Sequence, residues 1–163
     1  VSFLVGDFVA PPQEQSLVPG EVTGKLEYVS QYATPFERTV LFILQKQIQG
    51  RHKFVEYKIR CKHVEAGEPF MEMDKPHYDV TMDFLRPELP EVHHLWTTPP
   101  LPVFYTVSPE LEAVECPVPV GRILTYGRFS LHRTPVFDQP LTRLLIRATE
   151  SDIVKPRNTQ EGR

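Results

Sequence analysis

Apolar and polar residues alternate most regularly over Val55–Lys62, where Val55, Tyr57, Ile59 and Cys61 interleave with Glu56, Lys58, Arg60 and Lys62. Successive strand residues point to opposite faces of a sheet, so this spacing predicts a strand with one oily and one basic face. Tyr78, Val80, Met82 and Phe84 repeat the pattern against Asp79, Thr81 and Asp83, which predicts a second strand with an acidic face. If the two pair, opposite charges meet across the ladder, each pair contributing about 0.2–1 kcal/mol. After the Pro19-Gly20 turn, Val22, Leu26 and Tyr28 alternate with Thr23, Lys25 and Glu27 as a further strand, with Gly24 inward where close packing or a bulge would explain it. Over 121–131, Ile123, Phe129 and Leu131 take one side and Arg122, Arg128 and Ser130 the other. Leu141–Thr149 reads as a final strand, with a helix carrying Leu141, Leu144, Leu145 and Ala148 as the alternative.

One segment supports two readings. Thr34-Pro35-Phe36-Glu37 offers an N-cap, a proline at the first helical position and a glutamate at the third, and Phe36, Val40, Leu41, Leu44 and Ile48 follow at helical spacing before Gly50. Against this, Val40–Leu44 is a continuous apolar run with β-branched residues, as in a buried strand. The strand reading is preferred, because Leu41, Phe42 and Ile43 would leave a helix apolar nearly all round.

The expected fold class is therefore mainly β: an antiparallel sandwich or partly closed barrel of six to eight strands with zero to two short helices. The alternative is α+β, with helices near 35–49 and 140–149. A chain of 163 residues is enough for one core, so 1–150 is expected as a single globular domain and 151–163 as a flexible polar tail. The 17 prolines disfavour long helices. Eight of them fall in Pro87–Pro119, read as a rigid connection packed on the core, with Val103, Tyr105 and Val107 in a short edge strand and a short helix opened by Ser108-Pro109-Glu110.

A formal net charge of −3 gives no basic field for nucleic acid, and no apolar stretch is long enough for a spanning helix. Val1-Ser2-Phe3-Leu4-Val5 lacks the marks of a signal peptide, although a chain beginning at Val could have been processed; a soluble, cytoplasmic protein is slightly favoured. Cys61 and Cys116 allow one disulfide or two free thiols, and neither sits in a metal or redox spacing.

No glycine-rich phosphate loop and no nucleophile elbow occurs, so no catalytic residue and no cofactor is assigned. His63, His77, His93 and His94 lie near Asp74 and Asp79, but the spacing matches no structural zinc pattern; they are expected at the surface, with no metal. Arginines on strands carry more signal, because a planar guanidinium meets a carboxylate or phosphate with two parallel hydrogen bonds. Arg60, Arg122, Arg128 and Arg133 are the anion-binding candidates, and Arg143 and Arg147 share the pattern. Val120-Gly121-Arg122-Ile123-Leu124, the later His132-Arg133 and the hairpin-like Arg60–Phe70 resemble the chorismate–pyruvate lyase fold, which implies a strand arginine that binds a substrate carboxylate. This chain has Arg143 near the late strand position where that family has a glutamate.

The preferred function is a non-enzymatic protein-binding or assembly module that acts through a sheet face, a strand edge or the proline-rich segment, with Trp96, Leu101 and Tyr105 as partner-binding candidates. A protein partner or self-association as a homo-oligomer is expected, without membrane insertion. The alternative is a small enzyme or ligand-binding protein with an arginine-lined cleft for a small carboxylate or phosphate.

Overall fold

The computed structural model describes residues 3–69, 73–79 and 91–163. It is mainly β, with ten described strands in two antiparallel sheets, two helices and no closed barrel. The strands are β1 Phe3–Phe8, β2 Gly20–Gly24, β3 Phe54–Val64, β4 Glu91–Thr97, β5 Val103–Val107, β6 Ala113–Pro117, β7 Arg122–Gly127, β8 His132–Arg133, β9 Leu141–Ser151 and β10 Thr159–Glu161. The helices are α1 Leu26–Gln31 and α2 Pro35–Gln47. The large sheet runs β1-β7-β4-β9-β3-β2-β10 and the small one β6-β5-β8.

β9 organises the large sheet. It pairs with β3 from Phe54↔Ser151 to Val64↔Leu141, and on its other side with β4 from Glu91↔Ser151 to Thr97↔Leu145. Covered on both faces, it carries apolar residues of opposite phase. Leu144, Ile146 and Ala148 join Tyr57, Ile59, Cys61, Trp96 and Ile123 under Val29, Val40, Leu41 and Leu44 of the two helices. Leu145 faces the other way, into a second cluster with Leu95, Leu124, Tyr126 and Phe104, the last from the small sheet. The molecule is thus a helical layer, a seven-stranded sheet and a smaller sheet.

Several expectations change. Within 34–49, Pro35–Gln47 is a helix: Thr34 Oγ1 accepts from the Glu37 amide at 3.2 Å, and Glu37 Oε1 accepts from the Thr34 amide at 2.9 Å, closing the capping box. Phe42, which argued for a strand, is 55% exposed with the Lys46 ammonium 4.5 Å from its ring centre, so the helix does have a wet side. The strand read through Tyr28 stops at Gly24, whose φ of +150° is open to glycine; Asn158 sits so close that a β-carbon would overlap it. The Asn158 carboxamide accepts from the Lys25 amide at 3.1 Å, and α1 begins at the next residue.

The strand expected over Tyr78–Phe84 lies outside the described residues from Val80 onward, as does Pro87–Pro90 of the proline-rich segment; Tyr78 and Asp79 belong to no strand. The neighbours of β3 are β2 and β9, so its basic face meets Arg147 and Arg143 across the ladder rather than an acidic strand. β5 is central in its sheet, not an edge, and Ser108–Glu112 is the turn of the β5–β6 hairpin, not a helix. Phe129 leaves the inward phase because β7 ends at Gly127, and it is exposed. Both cysteines are free thiols.

The polar tail expected to fray is instead held. β10 pairs with β2, and Arg163 reaches the core, where its two terminal nitrogens contact the two Glu37 oxygens at 2.5 and 2.9 Å. Arg163 also donates to the carbonyls of Tyr32 and Val18, tying both helices to the loop before β2. Removing one partner of a buried pair leaves the other charge uncompensated, a cost of about 3–5 kcal/mol. Arg163→Ala should lower stability by about that amount in chemical denaturation, and a loss under 1 kcal/mol would show that the tail does not brace the core.

Candidate functional site

Between the two sheets lies a second buried region, and it is polar. His93 of β4, Tyr126 of β7 and Arg147 and Thr149 of β9 project from the large sheet on the side away from the helices, at the strand phase of Leu95, Leu124 and Leu145. His132 of β8 and the segment through His77 and Asp79 face them. The His77 amide donates to the His132 carbonyl at 2.8 Å and the His132 amide to the His77 carbonyl at 3.0 Å, a two-way bridge that holds the two rings with centres 4.5 Å apart. Asp79 is two residues beyond His77, so along extended backbone both side chains emerge on the same side.

The Asp79 carboxylate is the meeting point. Tyr126 O–H donates to Oδ2 at 2.5 Å, Arg147 Nη1 lies 3.3 Å from the same oxygen and His132 Nε2 also 3.3 Å. Oδ1 faces His77 Nε2 at 3.6 Å. Burial alone would raise this carboxyl, but the His132 and His77 contacts and the Arg147 guanidinium outweigh it and hold Asp79 well below the usual carboxylate range. The Asp79 contact raises His77, against the opposing effect of burial. Burial, then its nearness to Asp79, pushes the Tyr126 phenol well up and keeps it a hydrogen-bond donor.

Tautomers follow from the second ring nitrogens. His77 Nδ1 lies 2.7 Å from the Lys75 carbonyl and His132 Nδ1 2.9 Å from the Ser130 carbonyl. A carbonyl only accepts, so both Nδ1 atoms carry hydrogen, and each Nε2, the nitrogen that faces Asp79, bears a second hydrogen in a protonated ring and a free lone pair in a neutral one. His77 Nε2 is buried and makes no hydrogen bond. The Nε2 atoms and a carboxylate oxygen lie within 4.8 Å of one another. Bonds of about 2.0–2.2 Å to a common ion put neighbouring donors about 3–3.5 Å apart; here His77 Nε2 lies 3.6 Å from Oδ1 and His132 Nε2 3.3 Å from Oδ2. An imidazole that gives its other N–H to a backbone carbonyl is the usual support for a metal ligand. These three side chains have the donor types and spacing to hold a metal ion.

His93 is a neighbour with another role. Its Nε2 donates to the Asp79 carbonyl at 3.1 Å, and its Nδ1 is 2.8 Å from the Thr149 hydroxyl. Burial and then the Arg147 charge push it down to about 3, so it is a neutral brace that fixes the Asp79 backbone. His94 points to the helix side, between Thr125 at 3.0 Å and Glu150 at 2.8 Å. Of the histidines expected at the surface, only His63 is there; His93 and His94 are buried and His77 is half-buried.

The four arginines singled out from the sequence do not converge. Arg60 on β3 pairs with Glu21 at 2.9 Å beside a cleft of about 350 Å³ that also receives Lys62 and Glu161. Arg122 is exposed over the Phe8 ring, Arg128 is buried in the turn after β7 beside Phe129, and Arg133 meets Glu115 at 3.0 Å and the Tyr105 hydroxyl at 2.9 Å. Trp96, expected at a partner surface, is fully buried: it donates to the Val9 carbonyl at 3.1 Å and lies 5.2 Å from the Phe36 ring. Leu101 and Tyr105 are half-buried. Sequence reasoning named Arg147 among the strand arginines and His132 beside Arg133, but did not bring either of them, or Tyr126, together with Asp79. The only local signal was His77-x-Asp79, two ligand types on one side of extended chain; His132 comes 53 residues later.

The sheet face that carries the cluster also carries Lys58, across from Arg147, and Lys62, across from Arg143. Burial, reinforced by Arg147 and Arg60, pushes Lys58 down to about 8. Comparison with protein-family models, with curated proteins and with solved structures returns no match. Among the described residues no helix is long and apolar enough to cross a membrane.

The crowding at Lys58 has a measurable consequence. Its folded pKa lies below the ordinary lysine value of about 10.4, so between about 8 and 10.4 the unfolded chain binds more protons than the folded one and stability rises with pH. Below about pH 8 the full penalty stands. Lys58→Met should therefore be more stable than the parent at pH 7, with the difference shrinking toward pH 10; a difference that stays constant with pH would disprove the assignment.

Proposed function

We propose that this domain is a metal-dependent enzyme with a centre of the non-haem ferrous type, in which His77, Asp79 and His132 hold the ion. The observation that carries the reading is the pair of imidazoles that spend Nδ1–H on backbone carbonyls and aim Nε2 at one carboxylate. Two imidazoles and one carboxylate form the set associated with ferrous iron that activates dioxygen, whereas closed structural zinc sites use four protein ligands. Bound iron would supply dioxygen binding and electron transfer to it.

The chain's own residues do the rest. His93 holds the Asp79 backbone, Tyr126 and Arg147 hold its carboxylate, and Phe104 with Leu95, Leu124 and Leu145 provides a dry wall beside it. Charge selects the co-ligand. A divalent ion, one carboxylate and the Arg147 guanidinium leave a net charge of +2, with Arg143 and Lys58 on the same sheet face. A small carboxylate that can chelate the ion and be oxidised is the co-substrate class that such a site favours. This keeps the idea of arginines that favour a small carboxylate but moves it from Arg60, Arg122, Arg128 and Arg133 to Arg147 of β9.

Anaerobic titration of metal-stripped protein with ferrous ion should show one equivalent bound, and His77→Ala, Asp79→Ala and His132→Ala should each lose it while the cooperative unfolding transition is kept. Failure of the parent protein to bind ferrous or cobaltous ion would reduce the cluster to a structural ion network.

A second reading rests on a different observation. Among the described residues β1 is an edge of the large sheet, and Leu4, Val5 and Phe8 on it are exposed. Unprotected edges template pairing with a second chain, so self-association through β1 is the assembly role we retain from the binding-module reading. Native mass spectrometry should show a dimer that Val5→Lys dissociates; a parent protein that is monomeric at tens of micromolar excludes it.

A further inference from the structure

We infer that Tyr126 and Arg147 are positioning residues that confine Asp79 to a single coordinating oxygen, and so set how many positions of the ion remain open; the inference rests on the metal-centre reading above. An ionised carboxylate has about four lone-pair sites, two on each oxygen. Tyr126 O–H, at 2.5 Å, and Arg147 Nη1, at 3.3 Å, both fall on Oδ2. When His132 gives its Nε2 lone pair to an ion it no longer contributes a hydrogen to that oxygen, and the tyrosine and arginine donors alone fill both of its sites. Oδ1, which faces His77 Nε2, is the oxygen left to bind.

Both donors are held from behind. The Tyr126 ring packs 5.0 Å from His93, 5.1 Å from His132 and 5.2 Å from Phe104, centre to centre, and is almost fully buried. Arg147 sits on the strand shared by β3 and β4, its residue 8% exposed. Neither can turn away without opening the space between the sheets. A carboxylate fixed in this way supplies one ligand atom, and with two imidazoles makes three. A carboxylate free to bind through both oxygens would take a fourth position, at the expense of dioxygen or the co-substrate. Tyr126 therefore acts through Asp79 and not on the reacting atoms.

Tyr126→Phe removes the hydroxyl and keeps the ring packing. Titration of the metal-stripped protein with cobaltous ion, followed by visible absorption, reads affinity and ligand arrangement together. The expected result is an affinity lowered by about 10–100-fold, with changed position and intensity of the cobalt bands and a metal-free unfolding midpoint close to that of the parent. Affinity within twofold and superimposable spectra would overturn the inference while leaving the metal centre standing; a parent protein that binds no cobalt overturns both. Arg147→Lys retains the charge but not the guanidinium geometry and should also alter the cobalt spectrum. If Tyr126→Phe does not fold, a parent-like spectrum of Arg147→Lys overturns the inference.

Discussion

A carboxylate removed from water must be met by positive charge or by hydrogen-bond donors, because leaving an ion buried and unpaired costs several kilocalories per mole. Asp79 is met from β7, β8, β9 and its own segment, by Tyr126, His132, Arg147 and His77. Each of these must reach one point, so the spacing between the large sheet and the small one is set there. The apolar cluster around Phe104 and Leu145 fills the rest of that layer, and its shape follows from the same spacing.

The helix side obeys a different rule. There the residues that touch are nearly all apolar, and the polar exceptions are paired across long stretches of sequence: His94 with Glu150, and Glu37 with Arg163. Burial of oily surface is roughly proportional to area and tolerates variation in detail, whereas a buried ion pair does not. Glu37 illustrates how closely the two are joined. It completes the capping box that starts α2 and also receives the guanidinium from the far end of the described chain, so one side chain serves local and long-range order.

The arginines on β9 lie on the sheet face that carries the Asp79 cluster. Arg143 and Arg147 stand four residues apart on one face of one strand, which places them about 13 Å apart along it. Arg143 donates Nε to the Pro100 carbonyl at 3.0 Å and borders a small cavity with Val64, Pro100 and Leu141. Side-chain phase along β9 therefore puts Leu144, Ile146 and Ala148 on the helix side and Arg143, Leu145 and Arg147 on the other.

Local patterning by itself determined a good deal. Alternation over Val55–Lys62 yields β3 directly, because pleat geometry is a property of consecutive residues, whereas Leu141–Thr149, read as a strand with a helix as the alternative, is β9. The same alternation misread 24–28, where Gly24 and Asn158 end the strand, and the continuous apolar run Val40–Leu44 favoured a strand where a capping box outweighs β-branched residues once one face of the helix is left to water. What only the tertiary structure decided is the site. His77 and His132 are bridged by backbone hydrogen bonds between segments far apart in the chain, and Tyr126 and Arg147 join them by strand register. A cluster drawn from four segments leaves no short motif, so it became visible only when the sheets closed over Asp79.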